Sequence, residues 1–247
     1  MKCFVALLAT SALLMSGCEA VSHEVNRPPG SVAMVLLDVS KSTQKKTIRG
    51  RYLNTFELVL DEMDAINDEG SYFGGDAIDD NPLAHGGLPI KADFEPCGLL
   101  DSSQSCEKDR AKSAARVLQE ARRIAEDTSS GTDIVSGLRL AETYLGAYNE
   151  GIPERLILLS DMVQSSGRFG VKQVLREPRG EIARRLRAAN LPDLDGVEVY
   201  VVGAGATAPD KLKAGEIARI HAFWREYFGE SGASLVFYGG ALPDFPL

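Results

Sequence analysis

The chain has 247 residues, of which 44% are hydrophobic and 25% are charged, and its formal net charge at neutral pH is −8. This length and apolar content are sufficient for the hydrophobic core of one large globular domain or of two small ones. The acidic balance argues against a nucleic-acid backbone, or an anionic lipid surface, as the main partner, because both carry the same sign of charge.

The first residues have the pattern of a secretory signal. Met1-Lys2 is basic, residues 3–15 are mostly apolar, and Ser16-Gly17 are small. Such a pattern is typical of an export signal, whereas a membrane span needs a longer apolar stretch. The tail that ends at Cys18 resembles the lipobox of bacterial lipoproteins, which implies cleavage before Cys18 and its diacylation. Plain secretion, with cleavage nearby, is the alternative.

Several acyl chains on one cysteine would anchor the protein to a membrane, since each buried CH₂ contributes about 0.8 kcal/mol. Glu19 stands where Asp is the usual signal for retention in the inner membrane, so the resemblance implies the outer membrane, facing the periplasm. Residues 19–30 are mostly polar and include Pro28-Pro29, which favours an extended tether. We therefore predict a lipoprotein signal peptide over residues 1–17, a lipidated N terminus and tether over 18–30, and one folded domain over 31–247.

Apolar runs alternate with helical patterns from residue 31 onward. Residues 32–37 form a short apolar run before Asp38, which is typical of a strand buried on both faces. The alternation predicts an α/β fold with right-handed crossovers: a doubly wound, largely parallel sheet with helices on both faces and one antiparallel edge strand. The further predicted strands are 71–78, 88–94, 155–159, 197–202 and 234–238, and the predicted helices are 52–66, 107–125, 134–148, 181–189 and 209–228.

Two cysteines, Cys97 and Cys106, lie close together in the predicted domain. Nearby cysteines in an exported protein usually form a disulfide, so we predict a Cys97–Cys106 bridge. A metal site is the rival interpretation, although two sulfurs with no nearby histidine are a poor ligand set.

Three polar motifs fall at the ends of predicted elements. Asp38-Val39-Ser40-Lys41-Ser42 follows the first strand, Gly131-Thr132-Asp133 precedes a helix, and Ser160-Asp161 ends a later strand. Ligands of doubly wound folds bind at the carboxyl ends of the strands, so we expect the motifs to converge there. They offer oxygen donors without sulfur or imidazole, which suit a hard cation, Mg²⁺ first and Mn²⁺ or Ca²⁺ as alternatives. The predicted metal ligands are Asp38, Ser40, Ser42, Thr132 and Asp161.

The Asp-x-Ser-x-Ser motif that begins at Asp38, together with Thr132 and Asp161, resembles the metal-ion-dependent adhesion site of von Willebrand factor A domains. The resemblance covers about residues 31–240. It implies that the three hydroxyls contact the metal, that the two aspartates bind it directly or through water, and that a protein partner offers an acidic residue to the metal. Met162 stands where many members of the family have glycine, which predicts a stiffer loop.

Two other functions remain open. A metal-dependent phosphotransferase of the haloacid-dehalogenase kind also carries an aspartate after its first strand, but it needs a second acid where this chain has Ser40. A structural lipoprotein with a non-functional site is the other alternative.

Residues 203–208 fit a relaxed dinucleotide motif but lie late in the chain. Because the histidines are scattered and no acid, base and nucleophile set is recognisable, we predict no catalytic residue and no enzyme activity.

Overall fold

The apolar run after the predicted tether forms the central strand of a sheet. Strand β1, Ser31–Asp38, is buried at every residue. It lies between two parallel neighbours and beneath helices on both faces, which explains an apolar run without alternation.

The computed structural model describes residues 30–65, 70–98, 102–148, 151–206 and 212–241. The predicted signal peptide, Cys18 and nearly all of the predicted tether lie outside these residues, so the division into signal, tether and domain stays a prediction. No helix within the described ranges is long and apolar enough to cross a membrane.

Five further strands join β1 in one sheet: β2 (Ser71–Ile78), β3 (Ile90–Phe94), β4 (Glu154–Leu159), β5 (Glu198–Val202) and β6 (Ser234–Gly239). Their order is β3-β2-β1-β4-β5-β6. Every neighbouring pair is parallel except β2 with β3, which is antiparallel and places β3 at the edge. The predicted α/β fold, with a largely parallel sheet and one antiparallel edge strand, is confirmed.

Helices cover both faces of the sheet. They are α1 (Lys46–Ala65), α2 (Ser103–Glu126), α3 (Ile134–Leu145), α4 (Val171–Arg176), α5 (Arg179–Arg187) and α6 (Ala214–Glu230). Alternate side chains of β1 enter two separate cores: Val35 packs in the core under α1 and α2, and Met34 in the core under α3 to α6. The aromatic stripe of α6 is core packing, because all four of its rings are buried: Phe223, Trp224, Tyr227 and Phe228.

Strand β2 contains the glycine pair Gly74-Gly75, which weakens its sequence pattern as a strand. Close contacts in the folded protein explain this pair. A Cβ on Gly74 would lie 2.7 Å from the ring of Tyr144, and a Cβ on Gly75 would lie 3.1 Å from Cδ1 of Ile90. Small residues therefore let α3 and β3 pack closely against β2.

Several helix starts differ from those predicted. Helix α1 begins at Lys46 rather than at residue 52. The sequence pattern does not show its first turn, because this turn is polar, buries only Ile48 and has no apolar period. Helix α2 begins at Ser103 rather than at residue 107, since the hydroxyl of Ser102 caps it by accepting the Ser105 N–H at 3.2 Å. The short helix α4 buries a single side chain, Val174, which is too little for a periodic pattern.

The predicted start of the last helix at residue 209 is wrong. Residues 207–211 lie outside the described part, but the described Lys213 still precedes the helix. Its backbone N–H donates to the Glu216 carboxylate at 2.7 Å, and this capping contact starts α6 at Ala214.

Cys97 and Cys106 form the disulfide expected from the sequence, with their Cα atoms 5.7 Å apart. The bridge joins the segment after β3 to the first turns of α2.

Candidate metal centre

The predicted metal site lies where two adjacent parallel strands end. Asp38 is the last residue of β1, and Ser160-Asp161 follow β4 directly. The register pairs Leu37 with Leu159, so the residues after both strands emerge side by side at the carboxyl edge of the sheet. This is the edge at which such folds bind ligands.

The carboxylate of Asp38 is held rigidly, and its side chain is 3% exposed. One oxygen accepts the backbone N–H of Ser40 at 2.9 Å, and the other accepts the Ser160 hydroxyl at 2.7 Å. The Thr43 hydroxyl contacts the Asp38 and Ser40 carbonyls at 2.8 and 2.9 Å and closes the turn between β1 and α1. Sequence reasoning named Ser160 only as part of the Ser160-Asp161 motif, without a role of its own, and missed Thr43, which directly follows the predicted ligand Ser42.

Four of the five predicted ligands form one continuous set of contacts. The hydroxyls of Ser40 and Ser42 lie 2.9 Å apart, and Ser42 donates to the Asp161 carboxylate at 2.9 Å. The second Asp161 oxygen accepts the Val163 N–H at 2.9 Å. Ser40 and Asp161 are buried and Ser42 is half-buried, so the set opens toward solvent at Ser42.

Thr132, the fifth predicted ligand, lies in a loop that runs beside the first motif. The Ser129 N–H donates to the Val39 carbonyl at 3.0 Å, and the Lys41 N–H donates to the Ser129 carbonyl at 3.1 Å. Thr132 itself is 2% exposed. Within the described residues the hydrogen bonds of Thr132 are made by its backbone, and none joins its hydroxyl to the other four predicted ligands.

The two carboxylates raise the electrostatic cost of the site. Burial first, and then the negative charge of Asp161, raise the pKa of Asp38 to about 7, although hydrogen bonds from Ser160 and Ser40 oppose the shift. Within the described residues Asp38 makes no ion pair with a basic side chain.

Tyr52 on α1 lies close enough to Asp38 and Asp161 for their charges to change the pKa of its phenol. Burial, and then the charges of Asp38 and Asp161, raise the pKa of its phenol. Its hydroxyl is buried without a hydrogen-bond partner. It packs against Gly203, where an added Cβ would lie 2.5 Å from the phenol oxygen. Sequence reasoning missed this contact, because nothing in the helical pattern distinguishes Tyr52 from its neighbours.

The residues present fit a hard divalent cation. Among the described residues no three His, Cys, Asp or Glu side chains converge as a metal site. Two carboxylates with neighbouring hydroxyls are instead the donors that Mg²⁺, Mn²⁺ and Ca²⁺ prefer. A dipositive ion would also balance the two buried aspartates.

The loop after Asp161 has an unusual backbone. Met162 has a φ of 62°, in the left-handed region that favours glycine. Its side chain is 1% exposed, and its carbonyl accepts the indole N–H of Trp224 at 2.9 Å. Its own N–H donates to the Ser160 hydroxyl at 3.0 Å. Burial of the side chain and these two bonds hold a conformation that glycine would adopt without strain.

Fold and site together define an α/β protein with an all-oxygen candidate metal centre at the carboxyl edge of its sheet. No family model matches the chain, and no curated protein matches it. Among solved structures, the pilus adhesin SpaC of Lactobacillus rhamnosus GG in its open conformation is similar, with 14% identity, a TM-score of 0.47, and coverage of 87% of this chain and 28% of the adhesin. A von Willebrand factor type A protein from Catenulispora acidiphila has 13% identity, a TM-score of 0.37, and coverage of 83% of this chain and 43% of that protein. The chain thus spans less than half of either protein.

Proposed function

We propose that the chain is a binding module that holds a partner protein through a divalent cation. The observation that carries this proposal is the pairing of Asp38 and Asp161 on adjacent strand ends, linked through the backbone N–H and hydroxyl of Ser40 and the hydroxyl of Ser42. Both aspartates are almost fully buried, at 3% and 2% exposure. Burial makes the two negative charges costly, and a bound metal ion would offset that cost.

Asp38, Ser40, Ser42, Thr132 and Asp161 would hold the ion, with Mg²⁺ favoured and Mn²⁺ or Ca²⁺ as alternatives. When bound, the ion supplies an electrophilic centre with coordination positions open to an outside oxygen ligand. The two aspartates balance its charge, so an acidic residue of a partner is the outside ligand that this site favours. Ser42 and the exposed Lys41 lie at the open rim through which such a residue would enter.

We infer that the site binds a partner and does not catalyse a reaction. Ser40 stands where a phosphotransferase with this first aspartate would carry its general acid, and a hydroxyl is a poor substitute for that acid. The Ser40 hydroxyl is engaged with Ser42 at 2.9 Å. This arrangement suits a metal ligand better than a proton donor to a leaving group.

We further propose that the module works at the cell envelope, anchored by acyl chains on Cys18 to the outer membrane and facing the periplasm. The support is the lipobox-like tail that ends at Cys18, with Glu19 after it. The tether that follows would let the domain reach a partner at a distance from the membrane.

Calorimetric titration of Mg²⁺ and Mn²⁺ tests the metal site directly. We expect wild type to bind and Asp38→Ala to lose binding while staying folded, because the site lies at the rim of the sheet. Asp109→Ala is the matched control, since Asp109 is an exposed aspartate on α2 whose side chain is 67% accessible and pairs with Lys112. Equal metal binding by wild type and Asp38→Ala would refute the site.

Capture of envelope proteins with and without EDTA tests the role of the ion. We expect the partner to be lost with EDTA and with Asp38→Ala, and retained by Asp109→Ala. A partner set unchanged by EDTA would contradict metal-dependent binding. Absence of metal binding by wild type would favour a structural lipoprotein instead.

A further inference from the structure

Residues 164–166 form several hydrogen bonds with the loop that carries Thr132. The backbone N–H of Thr132 donates to the Ser165 hydroxyl at 2.7 Å. The Thr132 carbonyl accepts the Ser165 N–H and the Ser166 hydroxyl, both at 3.1 Å. Both polar backbone groups of Thr132 are therefore bound to the segment that follows Asp161.

The side chain of Gln164 adds further hydrogen bonds to this contact. Its Oε1 accepts the N–H of Ile134 at 2.6 Å, in the first turn of α3. Its Nε2 donates to the Asp133 carboxylate at 2.9 Å and to the Ser166 carbonyl at 2.8 Å. The side chain is 2% exposed, so its amide is fully engaged in a place where unpaired groups are costly.

The loop that contains Gln164 is itself fixed next to Asp161. Val163 donates its N–H to Asp161, and Met162 is bound on both sides by Ser160 and Trp224. One buried amide thus joins the loop that supplies Asp161 to the loop that supplies Thr132.

We propose that Gln164 is a positioning residue that sets Thr132 against Asp161, so that the two loops of the metal site form one pre-arranged unit. This inference rests on the proposed function, because it assigns Gln164 a role in metal affinity. A residue that merely packs the core would change stability without acting through Thr132. A positioning residue has an effect that depends on the Thr132 hydroxyl being present.

A double-mutant cycle on the purified protein, with Mn²⁺ as the probe, separates these roles. We expect Gln164→Met to weaken Mn²⁺ binding by about tenfold or more, as is typical when groups that orient metal ligands are removed. In the Thr132→Ala background the same substitution should change the affinity by less than about twofold, because the residue through which Gln164 acts has lost its ligand. Gln173→Met is the matched control, since Gln173 is an exposed glutamine on α4, and it should leave Mn²⁺ binding unchanged.

Ser165→Ala provides a second route if Gln164→Met does not fold. It removes the acceptor of the Thr132 N–H and should also weaken Mn²⁺ binding in a manner that Thr132→Ala abolishes. Hydrogen exchange without metal gives an independent readout: Gln164→Met should speed exchange of the amides of residues 132–135 and leave those of β1 unchanged.

The outcomes distinguish this inference from the proposed function. If wild type binds Mn²⁺ and Gln164→Met binds it equally well, or if the two substitutions are additive, the positioning role is refuted while the metal site stands. Absence of Mn²⁺ binding by wild type refutes the metal site and the role of Gln164 in it. Unchanged exchange over residues 132–135 shows that Gln164 does not hold the Thr132 loop.

Discussion

At the scale of single residues, the contact between Tyr52 and Gly203 restricts which residue can occupy position 203. Gly203 has a φ of 101°, and an added Cβ would lie 2.5 Å from the Tyr52 oxygen. The position therefore requires glycine twice, once for its backbone conformation and once for space. The phenol cannot retreat easily because Tyr52 is 1% exposed.

We expect Gly203→Ala to lower the free energy of unfolding by roughly 1–3 kcal/mol, the usual cost of overpacking and of a strained backbone. Gly50→Ala is the matched control, because Gly50 lies inside α1 with nothing within 4 Å of an added Cβ. It should stabilise the protein by about 0.5–1 kcal/mol through the helix propensity of alanine. Urea unfolding of both variants checks the pair, and a stable Gly203→Ala would mean that Tyr52 can move.

The candidate ligands could be predicted from their positions at strand ends, because a motif names side chains that share an edge of the sheet. The groups that hold them could not. Ser160 contacts Asp38 because β1 and β4 are neighbours in register. Gln164 contacts α3 across a turn that starts at Met162, whose backbone lies in the left-handed region. Hydrogen bonds across elements depend on tertiary placement, which no local pattern contains.

At the scale of elements, a histidine fastens the β2–β3 connection to β2. The two ring nitrogens of His85 lie 2.8 Å from the Asp76 carboxylate and 2.9 Å from that of Asp79. The Asp79 carbonyl accepts the Asp133 N–H at 2.6 Å, so the connection also supports the loop of Thr132. A neutral imidazole has one N–H, so only the protonated ring can donate to both carboxylates.

Partial burial opposes protonation of His85, but the hydrogen bonds that its ring donates to Asp79 and Asp76 outweigh this effect and raise its pKa above the usual 6.5. Because the folded-state pKa is the higher one, the stability from protonated His85 is complete below about 6.5 and is lost as the pH rises through the folded-state pKa. We expect the urea midpoint of wild type to fall over this pH range relative to that of His85→Gln. Identical pH profiles for wild type and His85→Gln would contradict this role.

The element boundaries show where prediction from sequence succeeds. The strands follow the prediction closely because β1, β4 and β5 are largely apolar. Helix starts were less accurate, since the first turns of α1 and α2 are polar and carry no period, and their positions depend on caps and tertiary contacts.

At the scale of the whole molecule, the start of β1 and the candidate site lie at opposite ends of one strand. The predicted tether joins the amino end of β1, whereas Asp38 ends the same strand. Under the proposed anchoring, the domain would present its candidate metal centre away from the end at which the chain enters β1.

We expect Cys18→Ser to prevent lipid attachment, leaving an uncleaved or soluble protein, because the acylated sulfur is lost. Cys3→Ser is the matched control, since Cys3 lies in the predicted signal and should be removed with it. Membrane fractionation and intact mass of the mature protein provide the measurement. An unmodified mature wild-type protein would show that the anchor does not exist.

The position of β1 between two parallel neighbours has a mechanical consequence. Under the proposed anchoring, a pull between the membrane and a partner on the metal runs along β1 from Ser31 to Asp38. The strand is paired over its length with β2 on one side and β4 on the other. Tension would thus load these backbone hydrogen bonds together in shear rather than peel them apart one by one, so the force path coincides with the strand that is most firmly embedded in the sheet.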